Sequence, residues 1–369
     1  MMEHAPKNLF ASLFKSFKSK IYDGSANKSR KSEGAFFQDC SRRRFLKALG
    51  LGALFLGSAA ELAAIDVKGV YYIPVSKIAR RFGMKYKTTI PKKRQQIYSS
   101  NFSMTFDVHR RDMDLNGVKV WLGDPVVEMG GLLYVSSRDI EKTITPIVFP
   151  KVSNVPPPLR HIMIDPGHGG KDKGAISKTF GVFEKNLTLD ISSRIAAYLR
   201  KMGFKVSLTR YKDVFLELPE RPAKANKVNA DLFLSIHINA AGPSASGVET
   251  YSLTPKGQTS TNASTMSVKD KRNFNGEIQN SWNTLLSYYI QSELKEAASS
   301  PDRGSKRARF AVLQDGKMPA ALVECGFISN NAEARKLCSA SYRDSLAKAI
   351  ANGILRYSKT LKRLNNQKP

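Results

Sequence analysis

Apolar and polar positions follow two different rhythms along this chain. Between Ile65 and Ile147 the apolar runs are short and broken. Val70–Pro74 reads as a strand, and Val75–Phe82 as a helix, because Ile78 and Phe82 lie four apart. Strand-like pieces follow at Lys85–Thr89, Gln95–Ser99, Ser103–Val108, Met113–Leu115 and Val118–Leu122. Asn116-Gly117 between the last two is a hairpin signal. Leu133–Val135 leads into Ser136, the expected N-cap of a helix at Ser137–Ile144. The pattern predicts a small α+β unit.

From His161 onward strands and helices alternate. His161–Asp165 and Lys205–Thr209 are β-rich, and Leu232–His237 is a nearly unbroken apolar run, as a strand buried on both faces requires. Val248–Ser252, Phe310–Leu313 and Ala321–Cys325 continue the strand series. In Asn186–Met202, Leu187, Ile191, Ile195, Leu199 and Met202 share one helical face. Trp282–Ala297 and Tyr342–Tyr357 repeat that pattern. Such alternation predicts an α/β domain with a mostly parallel sheet. Lys256–Gly276 is polar and expected as a surface loop near the site. Val152–Arg160 carries three consecutive prolines and predicts an extended linker. The expected organisation is therefore 1–60 as a leader, 61–150 as the small unit, 151–160 as linker, 161–360 as the α/β domain and 361–369 as tail.

Composition narrows the function. Hydrophobic residues make up 41% of the 369, which excludes wholesale disorder. No apolar run reaches the ~18–20 residues of a membrane-spanning helix. The formal charge of +28 asks for an anionic partner. No helix-turn-helix, zinc-finger or RNA-binding signature accompanies it, so nucleic acid is not the expected partner. Met1–Ala60 holds eleven basic and four acidic residues, so a chain lacking it still carries about +21.

Ser41-Arg42-Arg43-Arg44-Phe45-Leu46-Lys47 precedes an apolar stretch, Ala48 to Ala60, that closes on small residues. The run resembles the twin-arginine export signal and implies passage by the twin-arginine translocase into the periplasm. Its Lys/Ser-rich forepart is long for such a signal. Cys40 precedes the apolar core and is not placed as a lipid acceptor; Cys325 and Cys338 make no disulfide framework.

Four residues carry candidate chemistry. His168 lies in Pro166-Gly167-His168-Gly169-Gly170, directly after a strand, where open α/β sheets place ligands. Glu184 opens the next helix, a position that also suits an ordinary first-turn acid. His237 ends the apolar strand and needs a partner for its ring nitrogens, as any core histidine does. Glu324 sits inside Ala321-Leu322-Val323-Glu324-Cys325, where a bare carboxylate demands a cation, a donor or a raised pKa. Two histidines and a carboxylate match the protein ligands of a catalytic zinc, and a second carboxylate can take a water's proton.

Three segments carry a resemblance: "DPGHGGKDKGAI…GVFEKNLTLDIS", "LTRYKD…LPERPAKANKVNADLFLSIHINAA" and "RGSKRARFAVLQDGKMPAALVECGFISN". They resemble the zinc-dependent N-acetylmuramoyl-L-alanine amidases of bacterial walls. The resemblance implies a mixed, mainly parallel six-stranded sheet flanked by helices. It implies Zn2+ held by His168, Glu184 and His237, with Glu324 as the catalytic glutamate and peptidoglycan as substrate. Asp165, Arg221, Asn226 and Asn239 also match family positions, as groups that touch substrate or orient the site; turn and packing roles are open to each. A monomer is expected. The best-known periplasmic members insert an inhibitory helix where this chain has Lys256–Asn280, a short polar stretch that does not read as that helix. The opening "YYIPVSKIARRFG" and closing "GGLLYVSSRDI" of the small unit resemble the N-terminal domain of copper amine oxidases, though His109 stands alone there and implies no copper site. A zinc peptidase acting within the stem peptide and a non-catalytic wall-binding protein are the alternatives.

Overall fold

The computed structural model describes residues 64–67, 69–150, 154–263 and 265–367. The expected export signal, Cys40 included, lies outside the described residues. In the N-terminal part, β1 (Ile65–Val67) and β2 (Val70–Pro74) lead into helix α1 (Val75–Phe82). A meander follows: β3 (Lys85–Ile90), β4 (Arg94–Tyr98), β5 (Ser103–Asp107), β6 (Asp112–Leu115) and β7 (Val118–Trp121). Strands β8 (Val127–Met129) and β9 (Leu132–Ser136) join β1 and β2 in a four-stranded sheet. Ser136 caps the helical stretch 137–148: its side chain accepts from the Asp139 amide.

The C-terminal part runs β10 (His161–Pro166), a hairpin of β11 (Ile176–Ser177) and β12 (Val182–Phe183), α2 (Glu184–Lys201), β13 (Lys205–Leu208), α3 (Glu220–Lys227) and β14 (Leu232–Asn239). Then come β15 (Val248–Leu253), α4 (Asn280–Ala297), β16 (Asp302–Ala308), β17 (Ala320–Phe327), α5 (Asn331–Cys338) and α6 (Ala340–Asn365). This is an α/β fold. Its strands β13, β10, β14, β17, β15 and β16 pair in that order, with only the β17–β15 contact antiparallel.

The sheet does not end at six strands. A parallel bridge between Ser305 of β16 and Val120 of β7 continues it into the meander, giving eleven strands. Hydrogen bonds reinforce the seam: the Lys119 amide donates to Asp302 (2.9 Å) and Trp121 Nε1 donates to the Arg303 carbonyl (2.8 Å). On either side of the proline run, Val155 and Leu159 are buried in the core of the α/β part. Trp282 Nε1 donates to the Asn154 carbonyl at 3.0 Å.

One expectation changes. The strand expected at Phe310–Leu313 is a 3-10 turn over Ala311–Leu313, closed by the Leu313 amide on the Phe310 carbonyl. The strand there is β16, whose sequence DRGSKRA shows no apolar alternation because its interior positions are charged: Lys306 and Arg307 are buried and satisfied by polar partners. The Lys256–Gly276 loop leaves the C-terminal end of β15 and is bound by Arg111 and Arg138 of the N-terminal part. Its Asn262 donates to the Tyr251 hydroxyl, which donates to Glu249, the strand partner of Glu324.

Register places polar side chains in line on one face. Across the meander, Lys87, Gln96, Thr105, Asp114 and Lys119 stand opposite one another in successive strands. The other face of those strands is apolar: Ile97, Met104, Phe106, Met113 and Leu115 are buried against α1 and the 137–148 stretch. One face solvated and one packed is the usual state of an antiparallel sheet.

Candidate functional site

His168, Glu184 and His237 come together at the C-terminal ends of β10 and β14 and the first turn of α2. One donor atom from each lies within 4.8 Å of the others, a spacing that could hold a metal ion. His168 Nε2 and His237 Nδ1 are each 3.1 Å from Glu184 Oε1, and the two rings meet edge to face at 4.9 Å. Backbone amides fix the carboxylate: Ile238 donates to Oε1 (2.9 Å) and Ala175 to Oε2 (2.8 Å). Burial alone would raise the Glu184 pKa, but its bonds to both histidines outweigh that and hold it well below the carboxylate range. Burial likewise works against a charged His168, and its bonds to Glu184 and Asp172 prevail, leaving its pKa raised.

The approach is close enough to need glycine. A Cβ at Gly167 would come within 2.4 Å of the His237 ring, and one at Gly174 within 2.6 Å of Glu184 Oε2. His168 itself takes a left-handed conformation, φ 61°, rare for a side-chain-bearing residue.

What holds this turn is buried. Asp165 accepts from Thr209 Oγ1 (2.6 Å), Ser235 Oγ (2.8 Å) and Arg221 Nη1 (2.9 Å). Arg221, 2% exposed, also donates to the Pro166 and His168 carbonyls, so it braces the turn from within and is not free to meet a ligand. Arg210 donates to the Pro166 and Gly167 carbonyls. Asn226 bonds the Asp315 carbonyl and the Lys317 amide, pinning a loop distant in sequence. Asn239 ends β14 and donates to Glu249 Oε1 at 2.7 Å.

Glu324 of β17 pairs directly with His237 of β14 and with Glu249 of β15. It is buried, and its Oε2 has no hydrogen-bond partner. Burial pushes its pKa well above the carboxylate range; Glu184 and Glu249 add to the rise, and Lys306 opposes it. A carboxyl so placed is a strong proton acceptor. Neighbouring Glu249, by contrast, is fully engaged by Asn239, Tyr251, Arg303 and Lys306.

Sequence reasoning missed Asp172, Arg210 and Glu249. Asp172 Oδ2 lies 2.8 Å from His168 Nδ1, an orientation that leaves Nε2 facing Glu184. Its four-residue spacing from His168 was the available signal. Arg210 and Glu249 gave none, because their partners are backbone carbonyls and side chains from other strands. Cys325 and Cys338 are free, with Cys325 buried in β17.

The profile of the N-acetylmuramoyl-L-alanine amidase family matches residues 162–356. The N-acetylmuramoyl-L-alanine amidase LytC of Bacillus subtilis is 39% identical over 217 residues, covering 58% of this chain and 39% of that one. The N-acetylmuramoyl-L-alanine amidase AmiA of Salmonella typhimurium is 35% identical over 222 residues, covering 54% of this chain and 76% of that one. The crystal structure of an N-acetylmuramoyl-L-alanine amidase from Clostridium difficile 630 aligns with a TM-score of 0.46 at 33% identity, over 55% of this chain and 99% of that one.

Proposed function

The chain belongs to the N-acetylmuramoyl-L-alanine amidase family, and from that membership we infer that it hydrolyses the amide between N-acetylmuramic acid and the L-alanine of the stem peptide in peptidoglycan. It is a hydrolase of the bacterial cell wall. The observation that carries the reading at the level of the site is buried Glu324, its Oε2 without a hydrogen-bond partner, beside the His168–Glu184–His237 cluster.

The cluster fits zinc. Two imidazole nitrogens and one carboxylate oxygen are a catalytic zinc's usual protein donors. His168 Nε2, Glu184 Oε1 and His237 Nδ1 would hold it. A zinc ion there supplies Lewis acidity and a water of lowered pKa. The chain's own residues do the rest. Glu324 takes the proton of the attacking water and hands it to the leaving amine of L-alanine, so one carboxyl acts as base and then as acid. Asp172 keeps the His168 ring turned. Asp165 and Arg221 fix the turn behind it; their role is positioning, through buried bonds to the turn's backbone.

Residues 61–150 act as an accessory part and 161–360 as the catalytic part. Export by the twin-arginine route into the periplasm is supported by Ser41–Lys47 and the apolar stretch behind it. A reporter carrying Met1–Ile65 should leave the cytoplasm only while Arg42 and Arg43 are intact.

Mass spectrometry of purified peptidoglycan tests the chemistry. The zinc-loaded chain should release stem peptides that begin at L-alanine, and the Glu324→Gln chain should not. Cleavage inside the stem would reassign the enzyme as a peptidase.

A further inference from the structure

One polar line crosses both parts of the sheet on a single face. It starts at Lys87 on the edge strand β3 and runs through Gln96, Thr105 and Asp114 to Lys119 on β7. Gly304 of β16 lies against Lys119: a Cβ there would come within 2.6 Å of its carbonyl oxygen. Gly304 pairs with Glu249, Glu249 with Glu324, and Glu324 with His237. The open part of the meander and the site thus lie on the same face of the sheet, with buried Glu249, Tyr251 and Lys306 between them. At ~4.8 Å per strand, the path from Glu324 to Gln96 is about 30 Å long.

The open part is polar. Its line presents ammonium, amide, hydroxyl and carboxylate groups, and two further carboxylates on the face, Asp107 and Asp112, are paired with Arg94 and Arg110. Lys87 and Lys85 are exposed, and Lys87 Nζ sits 5.2 Å from the centre of the Tyr98 ring on the same face. Asp114 is occupied by its own turn, accepting from the Gly117 amide. With the carboxylates Asp107 and Asp112 paired to arginines, Lys85, Lys87 and Lys119 are the charges this face has to offer a ligand. These groups suit a polymer bearing hydroxyls, amides and free carboxylates.

We propose that this face docks the substrate polymer: the glycan lies across β7 to β4, presenting its amide and carboxylate substituents to Gln96, Thr105 and the lysines, while one stem is held at Glu324. The proposal rests on the amidase reading and deepens it. Continuity with the site selects the substrate polymer over an anionic membrane, whose usual apolar anchors are missing from the line.

The test compares substrate length. Full-length zinc-loaded chain is assayed on polymeric peptidoglycan and on a single disaccharide-peptide fragment, which is too short to reach the meander. In Lys85→Glu/Lys87→Glu, kcat/KM on the polymer should fall about tenfold, through KM, and stay within about twofold on the fragment. The uncharged pair Gln96→Ala/Tyr98→Ala should act in the same direction. Lys348→Glu/Lys359→Glu, the same charge change on exposed positions of α6, should leave both substrates within about twofold. Equal loss on polymer and fragment, or no loss on either, overturns the proposal. Sedimentation of Glu324→Gln with purified peptidoglycan, with and without Lys85→Glu/Lys87→Glu, reads docking without turnover. Failure of the amidase reading would leave docking intact, while failure of the docking face would leave fragment cleavage intact. If Lys85→Glu/Lys87→Glu loses binding to phosphatidylglycerol vesicles but keeps its polymer kinetics, the face belongs to a membrane and the proposal falls.

Discussion

The two parts of the eleven-stranded sheet solve different problems with the same backbone pairing. From β13 to β17 the strands are parallel and covered on both faces, so side chains such as Ile164, Leu234 and Val323 are wholly buried. From β7 to β3 they are antiparallel, apolar on one face and polar on the other. Chemistry gathers in the first part because parallel strands end together, and their ends bring His168, His237 and Glu324 within reach of Glu184. The second part gives up burial on one face and gains an exposed polar surface there. The seam between them, β16 on β7, is narrow in pairing and dense in polar contacts.

The largest effect that sharpens this contrast is at Glu324. Glu324→Gln should lower turnover by about a thousandfold without lowering the melting temperature, because it neutralises a buried carboxyl whose Oε2 has no hydrogen-bond partner. A parallel loss of stability would mean that this carboxyl is structural.

Sheet continuity is tested next. Phe106→Ala in the meander core and Ile164→Ala in the α/β core should each cost about 3 kcal/mol in one shared unfolding transition seen by calorimetry. A separate transition moved only by Phe106→Ala would break the account of a single sheet.

Lys306→Met probes the seam itself. It leaves Glu249 buried with one cation fewer, and denaturant unfolding should show a loss of about 3 kcal/mol. An unchanged midpoint would show that Arg303, Tyr251 and Asn239 suffice.

The smallest effect is in the pH dependence. Burial would raise the Glu249 pKa, but Lys306 and the donors around it win, so its folded pKa is depressed. Its stabilising contribution is then fully present above the ordinary glutamate pKa of about 4.3 and is lost as pH falls through the lower folded value. The stability gap between wild type and Glu249→Gln should hold down to about pH 4 and close below it. A gap that closed above pH 5 would contradict the assigned direction.

Much of this contrast was legible in the sequence. Apolar runs announced β10, β14 and β17, and a single helical face announced α2, since burial on both faces or along one stripe leaves a direct mark on residue choice. His168, Glu184, His237 and Glu324 were visible because each is a costly residue in its setting. β16 was not visible: its interior is filled by Lys306 and Arg307, whose burial depends on partners from β15 and from residue 142. The joining of the two parts was hidden for the same reason, as it runs through that strand. The turn bracing by Arg210 and Arg221 rests on backbone carbonyls, which no residue pattern records.

The most direct test of the central claim is zinc K-edge absorption on the full chain, with metal content measured alongside. The account predicts one zinc per chain with nitrogen and oxygen neighbours at about 2.0–2.2 Å, lost in Glu184→Ala and in His168→Ala but retained in Glu324→Gln. Stoichiometric zinc that persists with an unchanged spectrum in both ligand variants would contradict it.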